Sequence, residues 1–381
     1  MSPCKVLYFG TYDKTYSRNR IMIAGLRAAG VEVIECHIPL WHGTADKVAA
    51  ARGELAAVIG RAIKAYFDLL RVYWPLRHSY DVMMLGYAGH FDVFLARFLS
   101  WLARCPLVFD VFMSLYLIAS ERQLPARHIL RWLEYLAYQL PDLLIIDTAE
   151  YEAWLRQAYG LARARIELVP TGADNQVFKP LPPRSPDGML RVIYYGTFIR
   201  NHGIDYIIEA ARLLVDCPAV RFELVGTGPE RGPAEALVQR YGLTNVTFID
   251  WLEQAELIDH VAQADVCLGA FGQTPQSLMT IQNKIYEGLA MGRPVVTGDS
   301  PTVRAVLLHG EHVYLVDRAH PQALADALLI LYNDPALRLR LAENGQRLFS
   351  ERFTIETLGR RTWEHVQSIK DNFHPGRLGT R

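Results

Sequence analysis

The chain has 381 residues, room for two domains of about 100–200 residues each. It is 51% hydrophobic and 21% charged, an ordinary globular balance. Lys plus Arg and Asp plus Glu number 40 each, and this lack of a basic excess argues against a dedicated nucleic-acid binder.

From the N-terminus, short β-branched runs alternate with helical patterns, which predicts α/β units with parallel sheets. The first series places strands at Lys5–Phe9, Val31–Cys36, Asp81–Leu85, Leu107–Val111, Leu143–Asp147 and Ile166–Val169. Helical patterns between them include Arg18–Ala29, Phe91–Ala103 and Ala126–Tyr138. Pro180 to Gly188 then holds four prolines and a glycine in nine residues, and reads as a domain linker. A second series follows, with strands at Val192–Tyr195, Arg221–Val225, Val246–Ile249, Val266–Ala270, Pro294–Thr297 and Val313–Val316. Its helices include Asp205–Val215, Ala234–Tyr241, Lys284–Met291, Pro321–Tyr332 and Pro335–Phe349. The expected domains are therefore 1–180 and 188–354, and 373–381 reads as a loose tail.

The five cysteines are scattered, which excludes a C-x-x-C site and fits reduced thiols in a cytoplasmic chain. The apolar run before Gly10 is too short for a signal peptide. The longest charge-free stretch, Val266 to Asn283, is broken by Gly-Gln-Thr-Pro, so no spanning helix is expected.

In parallel sheets, ligands lie beyond the carboxyl ends of the strands. Three segments there carry chemistry. Gly196-Thr197-Phe-Ile-Arg200-Asn-His202-Gly203 joins a strand to a helix, and free amides, the helix dipole and Arg200 suit an anion. The plain alternative is an ordinary strand–helix turn with a surface arginine. Gly226-Thr-Gly228-Pro229 approaches a dinucleotide fingerprint, but its third glycine is off register at 232 and Pro229 occupies the turn. Asn283 is a plausible N-cap, with Lys284 in the first helical turn and Glu287 one turn on along the same face. A lysine at a helix start makes sense where that end faces an anion. The alternative is a capped surface helix with an internal Lys–Glu pair.

Together, the 195–205 loop, Val225-Gly-Thr-Gly-Pro229 and Asn283-Lys-x-x-Glu-Gly-Leu-Ala-Met-Gly-Arg-Pro-Val-Val296 resemble the retaining glycosyltransferases of family 4. Val169-Pro-Thr-Gly-Ala-Asp174 and Asn245–Ile249 extend the likeness. The resemblance implies the GT-B fold: two Rossmann-like domains whose parallel sheets face a central cleft. The first domain would bind acceptor and the second donor, and a last helix at 355–372 would return to the first. It implies transfer of a sugar from a nucleoside diphosphate sugar with retained configuration. Position by position, Glu287 would hold the ribose, with Arg200, His202 and Lys284 near the diphosphate. The backbone at Trp251-Leu252 would lie near the base. Gly10-Thr11 would approach the phosphate from the first domain, and Asp110 the donor sugar. The chain departs from the family pattern at Met279, where the first of two glutamates stands in relatives. It also has Thr197 for a basic residue, His202 for a lysine and Asp110 for a histidine.

The expected mechanism is electrostatic stabilisation of the leaving diphosphate by Arg200, Lys284 and the helix end near Asn283. The chain has no Asp-x-Asp pair, so no metal is expected. In the first domain, Tyr12, Arg18 and His90 are candidates to face the acceptor, although a lone histidine is more often structural. Asp110 is as readily a cap as a sugar ligand. Arg61–Trp74 carries apolar residues at 63, 66, 67, 70, 73 and 74 with basic residues beside them, and Arg127, His128 and Arg131 near Trp132 repeat the flavour. Pattern alone favours a core helix with a solvated basic face over a peripheral membrane contact. A glycan, lipid-linked or small-molecule acceptor is open. So are two other readings: a nucleotide-sugar epimerase, and a non-catalytic nucleotide-sugar binder. The off-register glycines weigh against a dehydrogenase.

Overall fold

The computed structural model describes residues 4–40, 55–161, 164–182, 184 and 187–373. It separates into two units, Met1–Pro170 with Ile355–Arg381, and Thr171–Thr354.

The first unit runs β1 (Lys5–Gly10), α1 (Ser17–Ala28), β2 (Glu32–His37), α2 (Leu55–Leu76), β3 (Val82–Leu85), α3 (Asp92–Ala103), β4 (Leu107–Asp110), α4 (Leu115–Glu121), α5 (Arg127–Gln139), β5 (Leu143–Ile146), α6 (Ala149–Tyr159) and β6 (Ile166–Leu168). Its six strands are parallel in the order β2-β1-β3-β4-β5-β6. The central strands β3, β4 and β5 are buried throughout, as their apolar runs, broken only by Asp110 at the end of β4, require of a sheet covered on both faces.

The second unit holds β7 (Leu190–Tyr195), a 3-10 turn (Arg200–His202), α7 (Ile204–Leu213), β8 (Val220–Val225), α8 (Arg231–Tyr241), β9 (Val246–Ile249), α9 (Gln254–Gln263), β10 (Val266–Leu268), α10 (Pro275–Met279), α11 (Asn283–Ala290), β11 (Val295–Gly298), α12 (Pro301–Arg304), β12 (Tyr314–Val316), α13 (Pro321–Asn333) and α14 (Pro335–Arg352). Its parallel sheet has the order β12-β11-β10-β7-β8-β9. The last helix, α15 (Ile355–Asp371), packs on α1 in the first unit. Gly25 and Gly359 meet there at a spacing that excludes any side chain.

The strand–helix series was legible, but the boundary was not. The first unit ends at Pro170, and the proline-rich stretch belongs to the second unit instead of lying between the two. Arg293 Nη2 donates to the Leu181 carbonyl at 3.0 Å, and Arg184 pairs with Asp187 and Asp265. Proline breaks secondary structure; it does not by itself mark a domain border. Within the expected tail, residues 374–381 lie outside the described residues.

The apolar row expected to bury α2 divides between core and solvent, with Tyr66 half-buried on Asp92. Ile63 is 66% exposed and Phe67 60%, with Leu70 and Trp74 also exposed, while Ala65, Leu69 and Tyr73 face the sheet. The core face combines Ala65 and Leu69 with Tyr73 from the expected row. Among the described residues, no helix is long and apolar enough to cross a membrane.

Candidate functional site

In the second unit, β7 ends at the middle of the sheet and delivers Gly196. Gly196 has φ +127°, a conformation that favours glycine. A Cβ placed there would sit 3.3 Å from Lys284 Nζ, so the lysine amine packs directly on this backbone. Gly226 and Gly228, just past the end of β8, form a seat for the same loop. A Cβ at Gly226 would overlap the Gly196 carbonyl, and one at Gly228 would stand 2.6 Å from the Phe198 carbonyl. Phe198 N donates to Thr227 O at 2.8 Å. These glycines therefore shape the loop. Arg231 braces the seat from behind. It donates to the carbonyls of Gly226 and Ile249, and lies 4.6 Å over the Phe248 ring.

The loop continues as the 3-10 turn Arg200–His202, which Gly203 closes at φ +66° ahead of α7. Arg200 and Thr197 are exposed. Phe271 N donates to His202 O at 2.9 Å, and Ser277 Oγ lies 2.9 Å from the carbonyls of both Asn201 and Gly272. Arg318, 6% exposed, ties this corner together. Its Nη1 donates to Ser277 Oγ and Gly272 O, and its Nε to Asp299 O. Sequence reasoning gave no role to Arg231, although it sits in the 226–232 glycine segment, and missed Arg318, whose carbonyl partners lie 19 and 46 residues away.

Lys284 occupies the first turn of α11, 6% exposed. Its Nζ lies 4.0 Å over the Tyr194 ring and 3.2 Å from His202 Nδ1. Burial pushes its pKa down to about 7, against a pull upward from Glu287. His202 is also held neutral, first by burial and then by the Lys284 charge. Its Nδ1 sits 2.8 Å from Thr197 O and 2.7 Å from Tyr194 Oη. The Tyr195 hydroxyl donates to Lys284 O at 3.1 Å. Glu287 is half-buried, and its charge acts on both Lys284 and Tyr195. Asn283 is not the N-cap: Gln282 takes that position in extended conformation, with no side-chain hydrogen bond to the helix. The structure thus gathers Gly196, Thr197, His202, Lys284 and Glu287 around one strand end. Trp251, 62% exposed, and the half-buried Leu252 follow β9. Met279 ends α10.

In the first unit, several candidates are spent on structure. Arg18 is 1% exposed and grips Asp110 through two hydrogen bonds, of 2.8 and 2.9 Å. Its Nη1 donates to the carbonyls of Val169 and Pro170. Asp110 is therefore a buried ion-pair partner and not a free sugar ligand, and Arg18 does not line an open surface. Tyr12 is 2% exposed, in the core cluster of α1 and β1, with its hydroxyl on Glu35. His90 is 2% exposed, with Nε2 3.1 Å from the Tyr138 hydroxyl beside buried Glu134. Burial pushes its pKa down, so it is a neutral core histidine. Gly10, at φ +130°, and Thr11 fold around buried Asp92, which accepts from the Thr11 amide at 2.7 Å and from its hydroxyl. Asp147, overlooked in the sequence, lies buried near Arg18 with its pKa raised to about 7, mainly by desolvation.

A buried amine set on a glycine turn at a strand end is the kind of arrangement that suits an anion on an α/β sheet, and comparison with known proteins places the chain. Residues 190–334 match the family described as Glycosyl transferases group 1, and residues 11–172 match the Glycosyl transferase 4-like domain. The chain belongs to the group 1 glycosyltransferases. Among group 1 relatives, it is 26% identical over 291 residues to the alpha-D-kanosaminyltransferase of Streptomyces kanamyceticus, covering 72% of each chain. It is 27% identical over 247 residues to a D-inositol 3-phosphate glycosyltransferase of Corynebacterium urealyticum, covering 60% of this chain and 57% of that protein. Two solved structures share the GT-B fold of the family. Sucrose-phosphate synthase of Thermosynechococcus elongatus superposes with a TM-score of 0.74 at 19% identity, over 98% of this chain and 100% of that one. HepE of Anabaena, solved with UDP-glucose, gives 0.67 at 18% identity, over 96% and 99%. At these identities the structural likeness shows the fold alone.

Proposed function

We propose that the chain is a retaining, metal-independent hexosyltransferase that takes its sugar from a UDP- or GDP-sugar and transfers it to a hydroxyl of a glycan, lipid-linked or small-molecule acceptor from the cytoplasmic side. The observation that carries this reading is the Lys284 amine, buried on Gly196 at the end of β7. Burial costs this amine more than the nearby Glu287 charge returns, since its pKa still falls to about 7, and an incoming diphosphate offsets that cost with negative charge. HepE, a fold relative, is solved with UDP-glucose, which favours a uridine donor.

In the reaction, the anomeric C–O bond breaks and its electron pair goes to the diphosphate oxygen. Lys284, Arg200 and the first-turn amides of α11 stabilise that charge. Glu287 takes the ribose hydroxyls. The acceptor hydroxyl attacks from the face the diphosphate leaves, and its proton passes to the departing phosphate.

A thermal-shift screen against UDP-, GDP-, ADP- and dTDP-sugars tests the donor, because a ligand of the folded state raises the transition by mass action. Arg200→Ala and Lys284→Ala are each expected to lower turnover on the order of 10²–10³-fold. EDTA is expected to leave turnover unchanged, and NMR of the product to show the donor's anomeric configuration. Unchanged turnover in both variants overturns the assignment.

A further inference from the structure

The strand order of the first unit fixes where its helices lie. The connection from β1 to β2 runs one way along the sheet, and those from β2 to β3, β3 to β4 and β4 to β5 run the other. Right-handed crossovers therefore put α1 on one face and α2, α3 and α5 together on the opposite face. The outward rows of these three helices are apolar. Phe67 and Trp74 on α2, Phe98 and Trp101 on α3, and Ile129 and Trp132 on α5 are all more than half exposed. Exposed aromatic and aliphatic rows on three helices of one face mark an interaction site.

Charge names the partner. Asp68, Asp92 and Glu134 are the acidic residues of these helices within the described residues. Asp92 is buried against Thr11 and Tyr66, and Glu134 against Ser114 and Tyr138. That leaves Asp68 facing Arg61, Lys64 and Arg71 on α2 and Arg127 and Arg131 on α5. Arg71 lies 5.3 Å over Phe67, and Arg77, just past α2, 4.6 Å over Trp74, so the cations stand beside the aromatic rows. A second copy meeting this face across a two-fold axis would set like charges against each other. An anionic bilayer meets both features, taking the aromatic rings at its interface and pairing the cations with its headgroups.

We infer that the α2–α3–α5 face of the first unit docks on an anionic lipid surface. The helices lie on the bilayer and do not cross it. Docking is independent of the donor site, and it brings the enzyme to acceptors that sit in or on that surface.

The test is co-sedimentation of the full chain with vesicles of phosphatidylcholine alone, and of phosphatidylcholine mixed with phosphatidylglycerol. The chain is expected to sediment with the mixed vesicles only, and less as salt rises. Phe67→Ser with Trp74→Ser removes exposed rings, and Lys64→Glu with Arg71→Glu reverses two exposed charges. Each pair is expected to weaken binding by at least about tenfold while the donor thermal shift stays as in the parent chain. Three results overturn the inference: no sedimentation with the mixed vesicles at low salt, equal sedimentation with both kinds, or variants that sediment like the parent. Vesicle-free self-association that the serine pair abolishes also overturns it, because the face is then a contact between copies. The donor thermal shift reports on the second unit separately, so a failed docking result leaves the proposed function standing.

Discussion

Lys284 and Asp110 show how burial sorts charged residues into different roles. Both are almost fully buried, but Asp110 has an arginine on both oxygens, whereas the Lys284 amine has an aromatic ring, a neutral histidine and the Gly196 backbone around it, and the Glu287 charge acts on it without offsetting its burial. With its pKa near 7, Lys284 is largely neutral above that pH in the empty protein. A bound diphosphate favours the charged form, so binding takes up a proton. A sugar diphosphate does not itself titrate in this range, so the expected slope belongs to the lysine. Donor affinity measured by calorimetry is expected to fall by up to about tenfold per pH unit above pH 7. Lys284→Met is expected to flatten that slope and to weaken binding. Asp110→Ala tests the opposite case. It strands the Arg18 guanidinium in the core, and a loss of roughly 3–5 kcal/mol in denaturant unfolding is expected. Arg18→Met with Asp110→Leu removes both charges and is expected to recover part of that loss. A catalytic Asp110 would instead lose turnover while keeping its stability.

At the scale of elements, the site depends on one turn resting on another. The 196–198 backbone fits over Gly226 and Gly228 because neither carries a side chain. Gly226→Ala adds one methyl group against the Gly196 carbonyl, at a φ of +129° that alanine tolerates poorly. The loop must then lift off Lys284. A rise of ten-fold or more in donor KM, on the order of 1–2 kcal/mol, is expected with β7 and β8 intact. The sequence marked both glycine pairs as turns at strand ends, and that much was legible. Their contact was not, because residues thirty positions apart meet only after two strands have paired in register, as Tyr195 does with Val225. The same limit hid Arg18. Its position at the start of α1 was readable, but its partner ends a strand ninety-two residues on. The outward row on α2 failed for another reason. Helical periodicity locates a stripe of large apolar residues without saying how much of it the sheet covers, and the sheet took Tyr73 with Ala65 and Leu69 and left Ile63, Phe67, Leu70 and Trp74 outside.

Across the whole molecule, chain order and domain membership part company at Thr354. α15 directly follows α14 of the second unit, yet it completes the core of the first. Ile355, Leu358 and Val366 are buried in the cluster that holds Val6, Tyr8 and Leu26, and the Thr362 hydroxyl is buried near Met22. No composition shift at residue 355 announces this; the expectation rested on family likeness, and the contacts supply the physical cause. Gly359→Leu tests it. A leucine side chain cannot fit where the two helix backbones touch, so α15 must move off α1, at a cost of about 1–3 kcal/mol. Hydrogen exchange on the full chain should then speed up in α1, β1 and α15 and stay unchanged in β7, β8 and α11. A helix that merely extended α14 would produce the reverse pattern, loosening 335–352 and leaving β1 protected. The same measurement with a bound nucleotide sugar should slow exchange at 196–203 and 283–287 in both proteins equally, because the turn that seats Lys284 owes nothing to the packing of α15.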